Sequence, residues 1–315
     1  MIKIILKNLT YPLIFLLVGV SIVIVVPNGT YTSTNMQSAL ITTDGKPTPA
    51  LLGLLNIFDI QHDGTLKSIV DATQKSWLRP KDKERWQVED ILKGTAARVV
   101  PIIATLGCLD EIAPQEKEYT YALILGATAP AMRNRLAYLI EQWCRGVKFG
   151  KLVFLLSERP TDPVRENKEV LLHSTTLPIK KEWQFDGALP KNEYEVMRFI
   201  YDQAELPKAF KEIPVVWINY ADSKLPGDDI RKRSIANTGD TVHAWLSKKP
   251  MPGSCLVVSS QPYVGYQDSV MRTLLPQEFT LETVGPPASG NDKITSYIDN
   301  IARWLYQEHK RRSKL

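Results

Sequence analysis

From residue 119 onward the chain alternates short apolar runs with amphipathic stretches. Residues 121–125, 152–156, 214–218 and 255–258 are apolar almost throughout, and 279–284 is a further short β-type run. Residues 131–145, 194–204, 241–246 and 267–275 lie between or beside these runs, and 294–307 follows the last; each spaces its apolar positions by three and four. Continuous apolar strands separated by helices predict a parallel sheet covered on both faces. The expected fold over 119–315 is therefore α/β: a doubly wound, mostly parallel five-stranded sheet, Rossmann-like.

Upstream the period is helical. Residues 66–77, 84–92 and 96–106 read as helices, punctuated by Gly64, Pro80, Gly94 and Gly107. A helical segment over 51–118 thus precedes the α/β domain. Residues 28–50, rich in Thr, Ser, Asn, Gly and Pro, read as a linker. The stretch 158–192 is too long for an ordinary connection and predicts a lid or excursion beside a site.

Residues 9–26 carry no charge. As a helix they would be about 27 Å long, enough to cross a hydrocarbon core. Lys3 and Lys7 precede the run, and the next Lys or Arg is Lys46. The positive-inside bias then puts the N-terminus in the cytoplasm and the rest outside, as a single-pass protein of the cytoplasmic membrane. A signal peptide and a buried helix are the alternatives. The following Pro27-Asn28-Gly29-Thr30-Tyr31 is a poor cleavage site, and the run has no polar face.

Composition adds exclusions. With 315 residues, 44% hydrophobic and 23% charged, the chain is neither disordered nor a disulfide scaffold. Its three cysteines show no C-x-x-C, so no structural zinc or other metal site is expected. The formal charge of +5 resides in Lys3, Lys7 and the basic end 309–314, which leaves residues 27–301 close to neutral. A groove for nucleic acid is not implied, and the basic end reads as a tail after a C-terminal helix.

In doubly wound sheets ligands bind outside the carboxyl ends of the strands. After the first strand, Gly126 permits close backbone approach, Thr128 and Pro130 open a helix, and Arg133 and Arg135 follow. Such a helix start suits a phosphate or carboxylate. It is neither G-x-G-x-x-G nor a Walker loop, so it lacks the usual dinucleotide or P-loop signature and leaves any cofactor unknown. Glu158, Arg159, Asp162 and Arg165 follow the second strand, facing the cleft or forming surface ion pairs. Asn192-Glu193-Tyr194-Glu195 opens the next helix, with Glu195 the candidate for proton transfer and dipole support the simpler role. Asn237-Thr238-Gly239-Asp240 opens another, a cap or a second anion cradle. His243, one turn on, is the candidate titrating group. The fourth strand ends in Ser259-Ser260-Gln261-Pro262-Tyr263, dense in hydroxyls, with no G-x-S-x-G elbow.

The order of these pieces resembles the YdcF/SanA/ElyC-like family of bacterial domains. Leu125-Gly126-Ala127 stands for its Leu-Gly-Gly strand end, Arg133 or Arg135 for its helix arginine, and Glu193/Glu195 with Met197 for its Glu-Ala-x-x-Met helix start. Asn237 to Thr241 stands for its Asn-Thr-x-Glu-Asn turn, and Val258 to Gln267 for its Val-Thr-Ser-x-x-His-x-x-Arg-Ala strand end. The chain departs from the pattern at Tyr263 for histidine, Tyr266 for arginine, Asp240 for glutamate and Thr241 for asparagine. The resemblance implies a membrane-tethered, envelope-associated cleft binding an anionic small molecule. Hydrolase or transferase chemistry, a catalytically inactive binding or regulatory module, and a membrane-tethered scaffold remain the functional alternatives.

Overall fold

The computed structural model describes residues 39–222 and 236–313. Five strands, β1 (Glu118–Leu125), β2 (Lys148–Leu156), β3 (Val215–Asn219), β4 (Ser254–Val258) and β5 (Thr280–Val284), form one sheet in the order β3-β2-β1-β4-β5. Every pairing is parallel; Leu123, for example, sits opposite Val153 on one side and Val257 on the other. The expected five-stranded α/β sheet is therefore present, with strand bounds within three residues of those read from the pattern on all but one end. That exception is β2, which begins at Lys148: three of its first four residues are exposed, and only its second half is the continuous apolar run.

The side chains of the central strands divide by parity. Ala122, Ile124, Leu152, Phe154, Leu256 and Val258 pack with Met132, Leu136 and Leu139 of α4 (Ala129–Cys144) and Val196, Met197 and Ile200 of α6 (Glu193–Gln203). Tyr121, Leu123, Leu125, Val153, Cys255 and Val257 pack instead with Val242 and Trp245 of α8 (Thr238–Leu246) and Met271 of α9 (Val264–Leu274). Burial on both faces is why these strands lack a polar alternation.

A third cluster joins the upstream helices to the C-terminus. Leu51, Leu54 and Leu55 of α1 (Pro49–Ile57), Ile69 and Val70 of α2 (Leu66–Ser76) and Val99 and Ile103 of α3 (Ala96–Thr105) pack with Ile298, Ile301 and Leu305 of α10 (Ile294–Arg312). Leu40 and Ile41, inside the stretch read as a linker, are fully buried in this cluster. The end of α10 is ordered helix, not a loose tail: Arg311 pairs with Glu308 at 2.8 Å, and Arg312 donates to Thr42 O at 2.7 Å.

Residues 84–92 do not form the expected α-helix; only Arg85–Gln87 is helical, as a single 3-10 turn. Its backbone carbonyls are used elsewhere, since Lys293 Nζ donates to Val88 O at 2.6 Å and to Trp86 O at 3.2 Å. Asp90 accepts from the Ile294 and Thr295 amides, both at 3.1 Å, and so caps α10. Tertiary partners outbid the local helical period.

Among the described residues no helix is long and apolar enough to cross a membrane. The apolar run 9–26 lies outside the described residues. The excursion 158–192 contains two further features that organise it: a short helix, α5 (Lys168–Leu172), and a pinched base where Thr161 N donates to Lys191 O at 3.0 Å.

Candidate functional site

β1 and β4 are neighbours in the sheet although the chain visits β2 and β3 between them. Connections leave the two strands in opposite directions, so a crevice opens at their carboxyl ends. The β4 end, Ser259 to Tyr263, is pinned from two sides. Gln261 Nε2 donates to Gly107 O at 2.8 Å and Asp110 O at 2.9 Å, and Asn300 Nδ2 to Pro262 O at 2.8 Å.

Arg135 enters this crevice from α4. Its Nη1 donates to Leu125 O at 2.7 Å and Gly126 O at 3.0 Å, and its Nη2 to Ser260 Oγ at 3.4 Å. The guanidinium therefore ties the β1 end to the β4 end. Arg135 is only 4% exposed and its Nε has no hydrogen-bond partner. Burial pushes its pKa down to about 10, with Glu193 opposing that shift and Arg85 adding to it. Arg133, two residues earlier, points elsewhere: it donates to Val170 O, to Leu171 O at 2.6 Å and to Gln203 Oε1 at 2.6 Å. It fastens α5 and α6 to α4 and takes no part in the crevice.

Of the two first-turn glutamates of α6, Glu193 is the buried one. Its Oε1 accepts from Ser157 N at 2.9 Å and Ser157 Oγ at 3.0 Å, and its Oε2 from Arg159 Nε at 3.4 Å. A Cβ on Gly126 would lie 2.1 Å from Glu193 Oε1, so the close approach expected at Gly126 is to this carboxylate. Burial raises the Glu193 pKa, with Arg159 pulling the other way. Glu195 is exposed, and its carboxylate caps its own helix by accepting from Lys191 N at 2.7 Å.

The start of α4 already holds an anion. Glu166, from the excursion, accepts from Ala129 N at 2.8 Å and Asp162 N at 2.8 Å, while Arg159 binds both its oxygens at 3.0 Å. The place where a phosphate was expected is thus taken by the chain's own carboxylate. Thr128 is the N-cap of α4, but its side chain makes no capping bond.

The second expected cradle is likewise self-satisfied. Asn237 Oδ1 accepts from Gly239 N at 2.8 Å and Asp240 N at 3.2 Å, and Asp240 Oδ2 from Asn237 N at 2.8 Å, a reciprocal cap. Thr238 supplies its carbonyl to Thr241 Oγ1 at 2.9 Å. His243 is exposed on α8. The bonds that Asn237, Thr238 and Asp240 make here stay within residues 237–241. Ser259 is fully buried with an unpartnered Oγ, and Ser260 is the hydroxyl that reaches Arg135.

Tyr263 is covered by a residue the sequence did not suggest. Arg85 lies with its Cζ 4.0 Å from the centre of the Tyr263 ring. Next to it, Trp86 Nε1 donates to Asp162 Oδ2 at 2.9 Å, so the 85–87 turn touches both the β4 end and the excursion. Arg85 sits in a stretch with a helical period far from any strand, and no local signal places it here.

The structure therefore brings together Gly126, Arg135, Ser260 and Tyr263 from the expected set, joined by Arg85, Ser157, Arg159, Glu166 and Glu193. Arg133 instead fastens α5 and α6, Glu195, Asn237, Thr238 and Asp240 make bonds at their own helix starts, and His243 is exposed. Among the described residues no group of three or more His, Cys, Asp and Glu could hold a metal ion. Compared with protein-family models, curated proteins and solved structures, the chain matches none.

Proposed function

We propose that this protein binds an anionic small molecule, phosphorylated or nucleotide-like, at the carboxyl ends of β1 and β4. In this reading it is a divergent relative of the YdcF/SanA/ElyC-like domains, tethered to the cytoplasmic membrane by residues 9–26 with its α/β domain outside. The observation that carries the ligand class is Arg135: a buried arginine at the switch point, held by two carbonyls that bring no negative charge, with one N–H unclaimed. A desolvated cation without a carboxylate of its own favours an incoming anion.

Binding rather than turnover is the better-supported role. Glu195 is spent on a cap and His243 is exposed, so neither supports proton transfer at this crevice. Glu193, the carboxyl beside Gly126, has both oxygens engaged by Ser157 and Arg159.

Thermal denaturation of the full chain with inorganic phosphate, pyrophosphate and nucleotides tests the reading, since a ligand of the native state raises its melting temperature. A rise with phosphorylated probes that is reduced in Ser260→Ala supports it. No rise with any of them sinks it. Protease protection of the domain in sealed membrane vesicles of known orientation tests the tether.

A further inference from the structure

Two cations meet around one turn. Ser260 and Tyr263 belong to the same tight turn, since Tyr263 N donates to Ser260 O at 2.9 Å. Arg135 reaches Ser260, and Arg85 lies on Tyr263. Arg85 donates no hydrogen bond among the described residues, and its buried Nε is without a partner.

The carboxylates nearby are already claimed. Asp299 is held by Arg303, with Nε at 2.9 Å and Nη2 at 3.0 Å, and by Arg79 Nη1 at 3.0 Å. Arg85 Nε stands 3.9 Å from the same carboxylate, beyond hydrogen-bonding distance. Glu84 faces Arg79 at 3.7 Å, and Glu193 belongs to Arg159 and Ser157. Asp292 accepts from Ser289 at 3.4 Å and reaches Arg85 only as a more distant charge. Three arginines thus share Asp299 and Glu84, while Arg135, which feels Arg85 as a like charge, has no carboxylate bonded to it.

We infer that the crevice takes a ligand with two linked anionic centres, a diphosphate group, with one centre on Arg135 and Ser260 and the other on Arg85 beside Tyr263. This rests on the anion-binding reading above and deepens it. A single phosphate seated on Arg135 and Ser260 leaves Arg85 without a hydrogen-bonded anion; the second phosphate of a diphosphate supplies one. Planar guanidinium forks suit phosphate oxygens, and a hydrogen bond between ions is about twice as strong as a neutral one. It also gives residues 84–90 a role, since the turn that fails to become a helix delivers Arg85 to the site.

The test is calorimetric titration of the full chain, in detergent, with inorganic phosphate and with pyrophosphate. Pyrophosphate should bind the wild type at least about tenfold more tightly than phosphate. Arg85→Ala should erase that advantage, bringing pyrophosphate affinity down to the level of phosphate. Arg85→Gln, which keeps most of the side chain over Tyr263, gives the same reading should the alanine variant lose its circular dichroism signal. Equal affinity for the two anions, unchanged in both variants, overturns the two-centre inference and leaves the anion site standing. No binding of either anion by the wild type overturns both. A nucleoside diphosphate and a short alkyl diphosphate, titrated in parallel, identify the source of the group: whichever exceeds pyrophosphate shows what its other half contacts.

Discussion

Arg159 and Glu166 meet fork to fork: Nη1 lies 3.0 Å from one carboxylate oxygen and Nη2 3.0 Å from the other. Glu166 has no exposed side-chain surface, and Arg159 only 13%. The pair fastens the excursion to the start of α4, because Glu166 also accepts the Ala129 N–H. Removing one partner strands the other in a dry site. Glu166→Ala and Arg159→Ala should each cost about 3–5 kcal/mol in urea denaturation. The double variant should lose less than the two added, by about 0.5–3 kcal/mol. Strict additivity would show that the two charges do not depend on each other.

Gly126→Ala should destabilise the protein by about 1–3 kcal/mol, because the new methyl would meet Glu193 Oε1 at 2.1 Å and that carboxylate is held by Ser157. Glu193→Ala empties the space, so the Gly126→Ala step should cost much less in that background. The comparison needs only four melting curves. An equal cost in both backgrounds would place the strain elsewhere.

The raised pKa of Glu193 makes stability pH-dependent in a definite direction. Its proton is held more tightly in the folded than in the unfolded chain, where the ordinary value is 4.5. The stability it contributes is complete below that value and is lost as pH rises through the higher folded pKa. Glu193→Gln cannot ionise. Relative to wild type, the variant should therefore gain stability as pH rises from below 4.5 through the folded value. A difference that is flat across this range would mean that Arg159 cancels the burial effect.

α9 and α10 touch through a glycine and a tryptophan. A Cβ on Gly265 would come within 2.4 Å of the Trp304 ring, itself 4% exposed. Gly265→Ala should force the helices apart and cost about 1–3 kcal/mol, with the melting temperature reporting the loss. Trp304→Phe should recover part of it by shortening the ring.

The three thiols should separate cleanly in a labelling experiment. Cys144 is exposed, while Cys108 and Cys255 are buried with thiols pushed up to about 12 by desolvation. A disulfide reagent at neutral pH should modify one thiol in the native chain and the other two only after denaturant is added. Fast modification of more than one native thiol would contradict the packing of β4 or of the α3 end.

The five strands and most helices were legible in the chain itself, because local pattern reports burial. A strand buried on both faces, such as 121–125, has to be apolar at every position, and caps such as Asn192 and Asn237 act within a few residues. The membrane expectation is also a property of the local run 9–26. What the pattern could not carry is the choice among near neighbours. Glu193 and Glu195 share a first turn, yet lie about 200° apart around the helix, so one meets Gly126 and the other solvent. Arg133 and Arg135 divide in the same way, one to α5 and α6, the other to the switch point. The strand order, the Glu166 carboxylate at the start of α4, and the arrival of Arg85 on Tyr263 join residues distant in sequence. Those contacts are set by which surfaces pack together, and only the tertiary structure decided them.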